Sequence, residues 1–297
     1  MKQCLRILAL VSGSLVMAVG LSAQSRQLKV FVAVTDRAGN PVLDLDAGGF
    51  EVTVGDAKGK VVRASLATEP MRIALLVDTS EEAKASLNHI RNGLQAFLDA
   101  IPPQDEILLM STGGQGRVRV PPTLDRRRLK STVEGLFGDG GANALLDALL
   151  ESWSRYLRNA EDRWPVFVTL TTDGPDNSGA RENELEAFIR DIQRAAATAH
   201  AFTLSSPTQT PRNTRAFLAS ETLTRYTGGQ HEVLAASTAL PGRMKALAEQ
   251  LAADQRRMST QYEVDFITQS KDPQARIMVS VRREGAGVEL SAGRRMK

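Results

Sequence analysis

The chain has 297 residues, 42% of them apolar and 24% charged, enough for a packed core, and no long low-complexity segment breaks it. Its formal charge is +3, but Lys2 and Arg6 sit in an acid-free leader, so the remainder carries only +1 and gives nucleic acid little electrostatic footing. The single cysteine, Cys4, lies in the same leader, which excludes a disulfide, a thiol nucleophile and a cysteine-bound zinc from the rest of the chain.

Residues 1–23 read as a secretory signal. Lys2 and Arg6 form a basic start, Ile7 to Leu21 an apolar stretch, and Leu21-Ser22-Ala23 a small-residue cleavage site. The apolar stretch is short for a membrane span and lacks a stop-transfer flank, with retention as an N-terminal anchor as the alternative. No later segment reaches the length of a transmembrane span. The chain is therefore expected to be exported, either to the periplasm or out of the cell. What remains is too long for one typical domain, so a large domain with a smaller appendage is expected.

Residues 24–68 have strand character. Leu28, Val30, Val32 and Val34 alternate with their neighbours, Asp36 to Pro41 has turn chemistry, and Phe50, Val52 and Val54 alternate again before Val61-Val62. From 69 to 258 the pattern changes. Apolar runs at 72–78, 106–112, 165–172 and 200–205 alternate with helical faces. One face is Leu87, Ile90, Leu94, Phe97, Leu98 and Ile101, stopped by Pro102-Pro103; others run Leu145 to Leu157, Leu185 to Ile192 and Leu240 to Leu251. A short strand is expected at 231–234. This alternation predicts a doubly wound, mostly parallel α/β sheet covered by helices. Residues 259–297 return to alternation at Tyr262, Val264 and Phe266, and again at Ile277, Val279 and Val281. Two strands cannot bury a face alone, so they are expected to pair with 24–68 in a small β-sandwich-like domain into which the α/β domain is inserted.

Two of the buried runs end in an acid: Leu75-Leu76-Val77-Asp78-Thr79-Ser80 and Val168-Thr169-Leu170-Thr171-Thr172-Asp173-Gly174. Open α/β sheets bind ligands at the carboxyl ends of their strands, so two carboxylates and a hydroxyl there point to a cation site. On these residues the chain resembles the von Willebrand factor type A (VWFA) family and its metal-ion-dependent adhesion site (MIDAS), written Asp-x-Ser-x-Ser with a distant Thr and Asp. Asp78-Thr79-Ser80 is similar to the first half and Thr172-Asp173-Gly174 to the last. Gly140-Gly141-Ala142-Asn143-Ala144-Leu145-Leu146-Asp147-Ala148 is similar to the segment between. Thr35-Asp36 with Gly39, Pro41 and Val42, then Phe50 with Val52, Thr227-Gly228-Gly229 and Gln261-Tyr262, resemble a bacterial branch, the VWFA-related acidobacterial type.

The resemblance implies a Rossmann-like α/β fold and an adhesion-type, protein-binding role without catalysis. It implies Asp78, Ser80, Glu82, Asn143 and Asp173 as the metal set, and Mg²⁺, or Ca²⁺ or Mn²⁺, as the ion. Two positions depart from the pattern: Glu82 stands at the second serine and Asn143 at the threonine. Three outcomes stay open. A divalent ion is bound and capped by Glu82, or no ion is bound, or a partner carboxylate completes the shell in the usual way. The partner is expected to be a protein or surface polymer; the alternative is a structural component of an envelope complex with no metal dependence.

Other candidates have plainer explanations. Ser80 lacks a Gly-x-Ser-x-Gly setting, and His89, His200 and His231 fall on separate elements, so no triad is expected. Gly113-Gly114-Gln115-Gly116 lacks the Lys-Ser/Thr of a phosphate loop and reads as a turn after an edge-like strand. Arg126-Arg127-Arg128 with Lys130 reads as a solvated helix face. Trp153 and Trp164 read as packing residues.

Overall fold

The computed structural model describes residues 25–160, 162–205, 214–272 and 274–291, and the expected leader at 1–23 lies outside them. The described chain opens with three strands, β1 (Arg26–Thr35), β2 (Phe50–Val54) and β3 (Ala57–Leu66). Asp36 accepts from the amides of Ala38 and Asn40 and so closes the turn after β1.

The α/β layer follows. It runs β4 (Met71–Val77), α1 (Leu87–Ala100), β5 (Glu106–Ser111), β6 (Arg117–Thr123), α2 (Arg126–Glu134) and α3 (Leu145–Ser152). Then come β7 (Trp164–Thr172), α4 (Glu182–Arg194), β8 (Thr198–Leu204), α5 (Arg215–Thr227), β9 (His231–Leu234) and α6 (Leu240–Met258). Its sheet has the order β6-β5-β4-β7-β8-β9, parallel throughout except for β6. β7 is buried at every position, which requires helices on both faces. Ile73, Leu75, Val166 and Val168 pack under α1, α2 and α6. Ala74, Leu76, Leu108 and Phe167 pack under α3, α4 and α5. α1 ends at Ile101, extended because Pro102 follows. Beyond α3 the helix continues through Trp153–Leu157 as one π turn, with Trp153 and Leu157 buried.

The last strands are β10 (Gln261–Thr268), β11 (Ile277–Val281) and β12 (Gly287–Ser291). With the first three they form a second sheet, in the order β11-β2-β3-β10-β1-β12. β10 lies antiparallel between β1 and β3, so residues from both ends of the chain share hydrogen bonds. Val30, Val32, Val52, Tyr262, Val264 and Phe266 form its core. Phe31 faces the other way and packs with Met258 and Ala196, joining the two sheets' bodies. Among the described residues no helix is long and apolar enough to cross a membrane.

Two expectations need correction, and one strand had no signature in the sequence. β5 is an internal strand, because β6 pairs along its outer side; Pro121 and Pro122 hid β6, yet prolines are tolerated on an edge strand. Arg126 is not simply solvated: it is half-buried and donates to the carbonyls of Pro102 (2.9 Å) and Asp105 (2.6 Å). β12 carried no recognised pattern, since most of it is exposed on both faces.

At the end of the sheet opposite the strand-end acids, buried Asp105 accepts from the Met71 amide at 2.7 Å and from Gln255 Nε2 at 2.9 Å. Burial pushes its carboxyl above the ordinary value despite those bonds and the nearby Arg126 and Arg163 charges. A raised folded-state pKa favours the protonated form. The stability it contributes is complete below the unfolded value of about 3.9 and is lost as pH rises through the folded value. Asp105→Asn keeps the acceptor and removes the buried charge. It is expected to unfold at pH 7 with a stability equal to or above wild type and a flatter pH dependence. Asp105→Ala should lose roughly 1–3 kcal/mol by orphaning the Met71 amide, read by urea unfolding at pH 4 and 7.

Candidate functional site: the carboxyl ends of the parallel strands

The parallel ladder continues one residue past each strand. The amides of Asp78, Thr112, Asp173 and Ser205 donate to the carbonyls of Leu170 (2.8 Å), Val77 (2.9 Å), Leu204 (3.1 Å) and Leu234 (2.9 Å). These four residues therefore line one edge of the sheet. Strand order reverses between β4 and β7, which places Asp78 and Asp173 at the crevice where α/β sheets bind ligands.

Asp78 is 1% exposed and spends both carboxylate oxygens within the protein. Oδ1 accepts from the Ser80 amide at 2.8 Å. Oδ2 accepts from the Thr172 amide at 3.1 Å and the Thr172 hydroxyl at 2.6 Å. Such bonds are what permit a carboxylate to be buried. Thr79 ties this loop to the one before α3. Its hydroxyl donates to Asp139 Oδ2 at 2.7 Å and accepts from the Gly113 amide at 3.2 Å, while its carbonyl accepts from the Asp139 amide at 2.8 Å. Gly113 has to be glycine, because a Cβ there would lie 2.5 Å from the Thr79 carbonyl carbon.

Asn143, also 1% exposed, spends both ends of its amide. Oδ1 accepts from the Thr112 hydroxyl at 2.6 Å, and Nδ2 donates to Thr171 Oγ1 at 2.7 Å. In this arrangement the Thr171 hydroxyl gives its own proton to the Thr172 carbonyl at 3.2 Å, which leaves its lone pairs for the amide. Asp173 is buried, and its Oδ2 accepts from Ser205 Oγ at 3.4 Å. Ser80 is buried too, and its hydroxyl has no hydrogen-bond partner among the described residues. Glu82 is exposed. Its methylenes lie over Gly174, where a Cβ would stand 2.5 Å from Glu82 Cγ.

Of the five residues expected to hold a cation, Ser80 offers a hydroxyl with no partner among the described residues, which fits an oxygen ligand in waiting. Asp78 is saturated by protein donors, and the Asn143 oxygen is taken. An amide nitrogen, which cannot bind a cation, is the atom Asn143 turns toward β7. Asp78, Glu82 and Asp173 do not converge: among the described residues no three His, Cys, Asp or Glu side chains are grouped to hold a metal. As the residues stand, the set does not fit a resident divalent ion.

Several contributors escaped the sequence reading. Thr112 and Thr171 looked like ordinary strand residues. Asp139 was legible only as an acid among glycines (138, 140 and 141). Asp176 and Ser178 cap α3 from the loop after β7: Asp176 Oδ2 accepts from the Leu145 amide at 2.9 Å and Ser178 Oγ from the Leu146 amide at 3.1 Å. Asp147 reciprocates by accepting from the amides of Gly179 (2.9 Å) and Ala180 (2.8 Å). His89 lies on α1, while His200 and His231 lie on the paired strands β8 and β9, each with its own partner: His231 bonds Thr203 Oγ1 at 2.8 Å and His200 Nδ1 meets the Gln230 amide at 3.4 Å.

Asp139 is the electrostatic anchor of these loops. Burial alone pushes its pKa up, but hydrogen bonds from Arg119, Thr79 and Ser111 and the Arg119 charge outweigh that and hold it below the usual carboxylate range. A depressed folded-state pKa gives stability that is present above the unfolded value and lost as pH falls through the folded one. Asp139→Asn is expected to cost roughly 1.5–3 kcal/mol at pH 7, shrinking as pH falls through the depressed folded-state value, as measured by denaturant unfolding across pH.

No protein-family model matches the sequence, and no curated protein does. Among solved structures, the chain is similar to a von Willebrand factor type A protein from Catenulispora acidiphila. That match has 12% identity, covers 88% of this chain and 72% of the other, and gives a TM-score of 0.52. It is also similar to proximal thread matrix protein 1 from the mussel byssus, solved with a zinc-occupied MIDAS motif. There the identity is 11%, the coverage 72% of this chain and 50% of the other, and the TM-score 0.51. Identities this low speak for the fold: the α/β layer, with its strand-end crevice, is a von Willebrand factor type A fold.

Proposed function

We propose that this chain is an exported, non-enzymatic protein-interaction module of the adhesion type. It presents the carboxyl-end face of its α/β sheet to a protein or surface polymer. The sequence motifs noted above favour the VWFA-related acidobacterial-type branch. On this reading residues 69–258 are the binding unit, and 24–68 with 259–297 form a small β-sandwich-like support.

The observation that carries the reading is the mutual pinning of the loops after β4, α2 and β7. Thr79 to Asp139, Glu81 to Gly141 (3.0 Å), Asn143 to Pro175 (3.1 Å) and Asn177 to Asn143 (2.7 Å) hold the face in one shape. A preformed face loses little entropy on binding, which favours recognition. Above the pinned backbone, Glu81 and Glu82 are exposed, and Phe137 is 58% exposed with the Arg119 guanidinium stacked on its ring.

A second reading, a structural part of an envelope assembly, draws on Met278, Val288 and Leu290, apolar side chains exposed on edge strands β11 and β12. Photo-crosslinking in the native envelope identifies the partner, and binding of purified variants to it separates the two readings. Glu82→Lys and Phe137→Ser are expected to weaken binding by about tenfold or more, with Met278→Lys and Val288→Lys within about twofold of wild type. The opposite pattern establishes the assembly reading and rejects the first.

A further inference from the structure

We infer that the side-chain amide of Asn143 makes the tie between strand ends that a cation would otherwise make, so that this face is set without metal. The inference concerns the face assigned above to a partner. Its test reads folding rather than partner binding, so either can fail alone.

β5 and β7 are not neighbours; they flank β4 on opposite sides. Asn143 reaches both, taking the Thr112 proton just beyond β5 and giving its own to Thr171 on β7. It thereby closes a bridge across the end of β4, over Asp78. A divalent ion in that position would join the strand ends by drawing oxygen atoms inward, and it would need carboxylates to neutralise it. An amide is neutral and carries a donor and an acceptor on one rigid plane, so it joins two hydroxyls with no added charge.

The rest of the site is consistent with that exchange. Three protein donors, from Ser80 and Thr172, satisfy Asp78 where an ion's charge would otherwise do so. The backbone of Asn143 is held through Pro175 and Asn177, and its side-chain amide can swing out to admit an ion only by giving up both the Thr112 and the Thr171 hydroxyls. Among the described residues the Ser80 hydroxyl has no hydrogen-bond partner, and one hydroxyl is too few oxygens to hold a divalent cation alone.

The test is thermal unfolding of the purified, EDTA-treated protein with and without excess Mg²⁺ or Mn²⁺. Wild type, Asn143→Asp and Thr171→Val are compared. Wild type is expected to melt within about 1 °C of the same temperature in every condition, since an ion that does not bind the folded state cannot stabilise it. Asn143→Asp exchanges the donor for a hard oxygen. In EDTA it should melt roughly 3–8 °C lower, from the lost bond and the added negative charge, and it should recover at least about half of that with Mn²⁺. Thr171→Val removes the hydroxyl that accepts from Asn143, together with its weaker bond to the Thr172 carbonyl; it should melt lower by a few degrees and gain nothing from metal. A rise of several degrees in wild type with either ion overturns the inference. So does a Thr171→Val protein that melts like wild type, a result that decides the matter even if Asn143→Asp does not fold.

Discussion

A carboxylate buried at the end of a parallel strand must be answered by donors, and at Asp78 the answer organises the crevice. Its two oxygens take the Ser80 amide, the Thr172 amide and the Thr172 hydroxyl. Those bonds turn the chain sharply after β4 and lock it to the end of β7. An unpaired charge at that depth would cost several kcal/mol, so the turn and the strand end stand or fall together. Each further loop then builds on this one. Thr79 is aimed at Asp139 because Ser80 is held, and Gly113 admits the Thr79 carbonyl because it lacks a side chain.

The outcome is a face whose backbone is cross-linked by hydrogen bonds and whose outward side chains remain available. Arg119 serves both purposes: it neutralises Asp139 beneath the surface and supports Phe137 above it. On the proposed reading, recognition through such a face would rest on shape and on the exposed Glu81, Glu82 and Phe137. The two departures from the adhesion-site pattern acquire distinct physical meanings here. Glu82 lies outside the crevice and covers Gly174, whereas Asn143 lies inside and bonds across it.

The two halves of the fold differ in how plainly the sequence shows them. Apolar runs such as Leu75-Leu76-Val77 and Val166-Phe167-Val168 read as strands buried on both faces, because nothing else accommodates uninterrupted apolar residues at that length. Helix faces such as Ile90, Leu94 and Phe97 are read the same way, from spacing alone. β6 escaped because Pro121-Pro122 argues against a strand wherever its edge position is unknown. β12 escaped because an exposed edge strand has no reason to alternate. Arg126 was misjudged because its carbonyl partners, Pro102 and Asp105, lie in a different loop, and Asp139 because its cations arrive from β6.

The sequence by itself determined the alternation of strand and helix, the resemblance to the type A fold, and the identity of every atom that the crevice contains. These follow from side-chain periodicity and local motif, which are properties of neighbouring residues. Only the tertiary structure decided what those atoms do. The Asn143 amide could serve a cation or two hydroxyls, and the choice depends on Thr112 and Thr171, residues 31 and 28 positions away along the chain. The direction of a hydrogen bond is set by whatever faces it across the fold, and no local pattern records that.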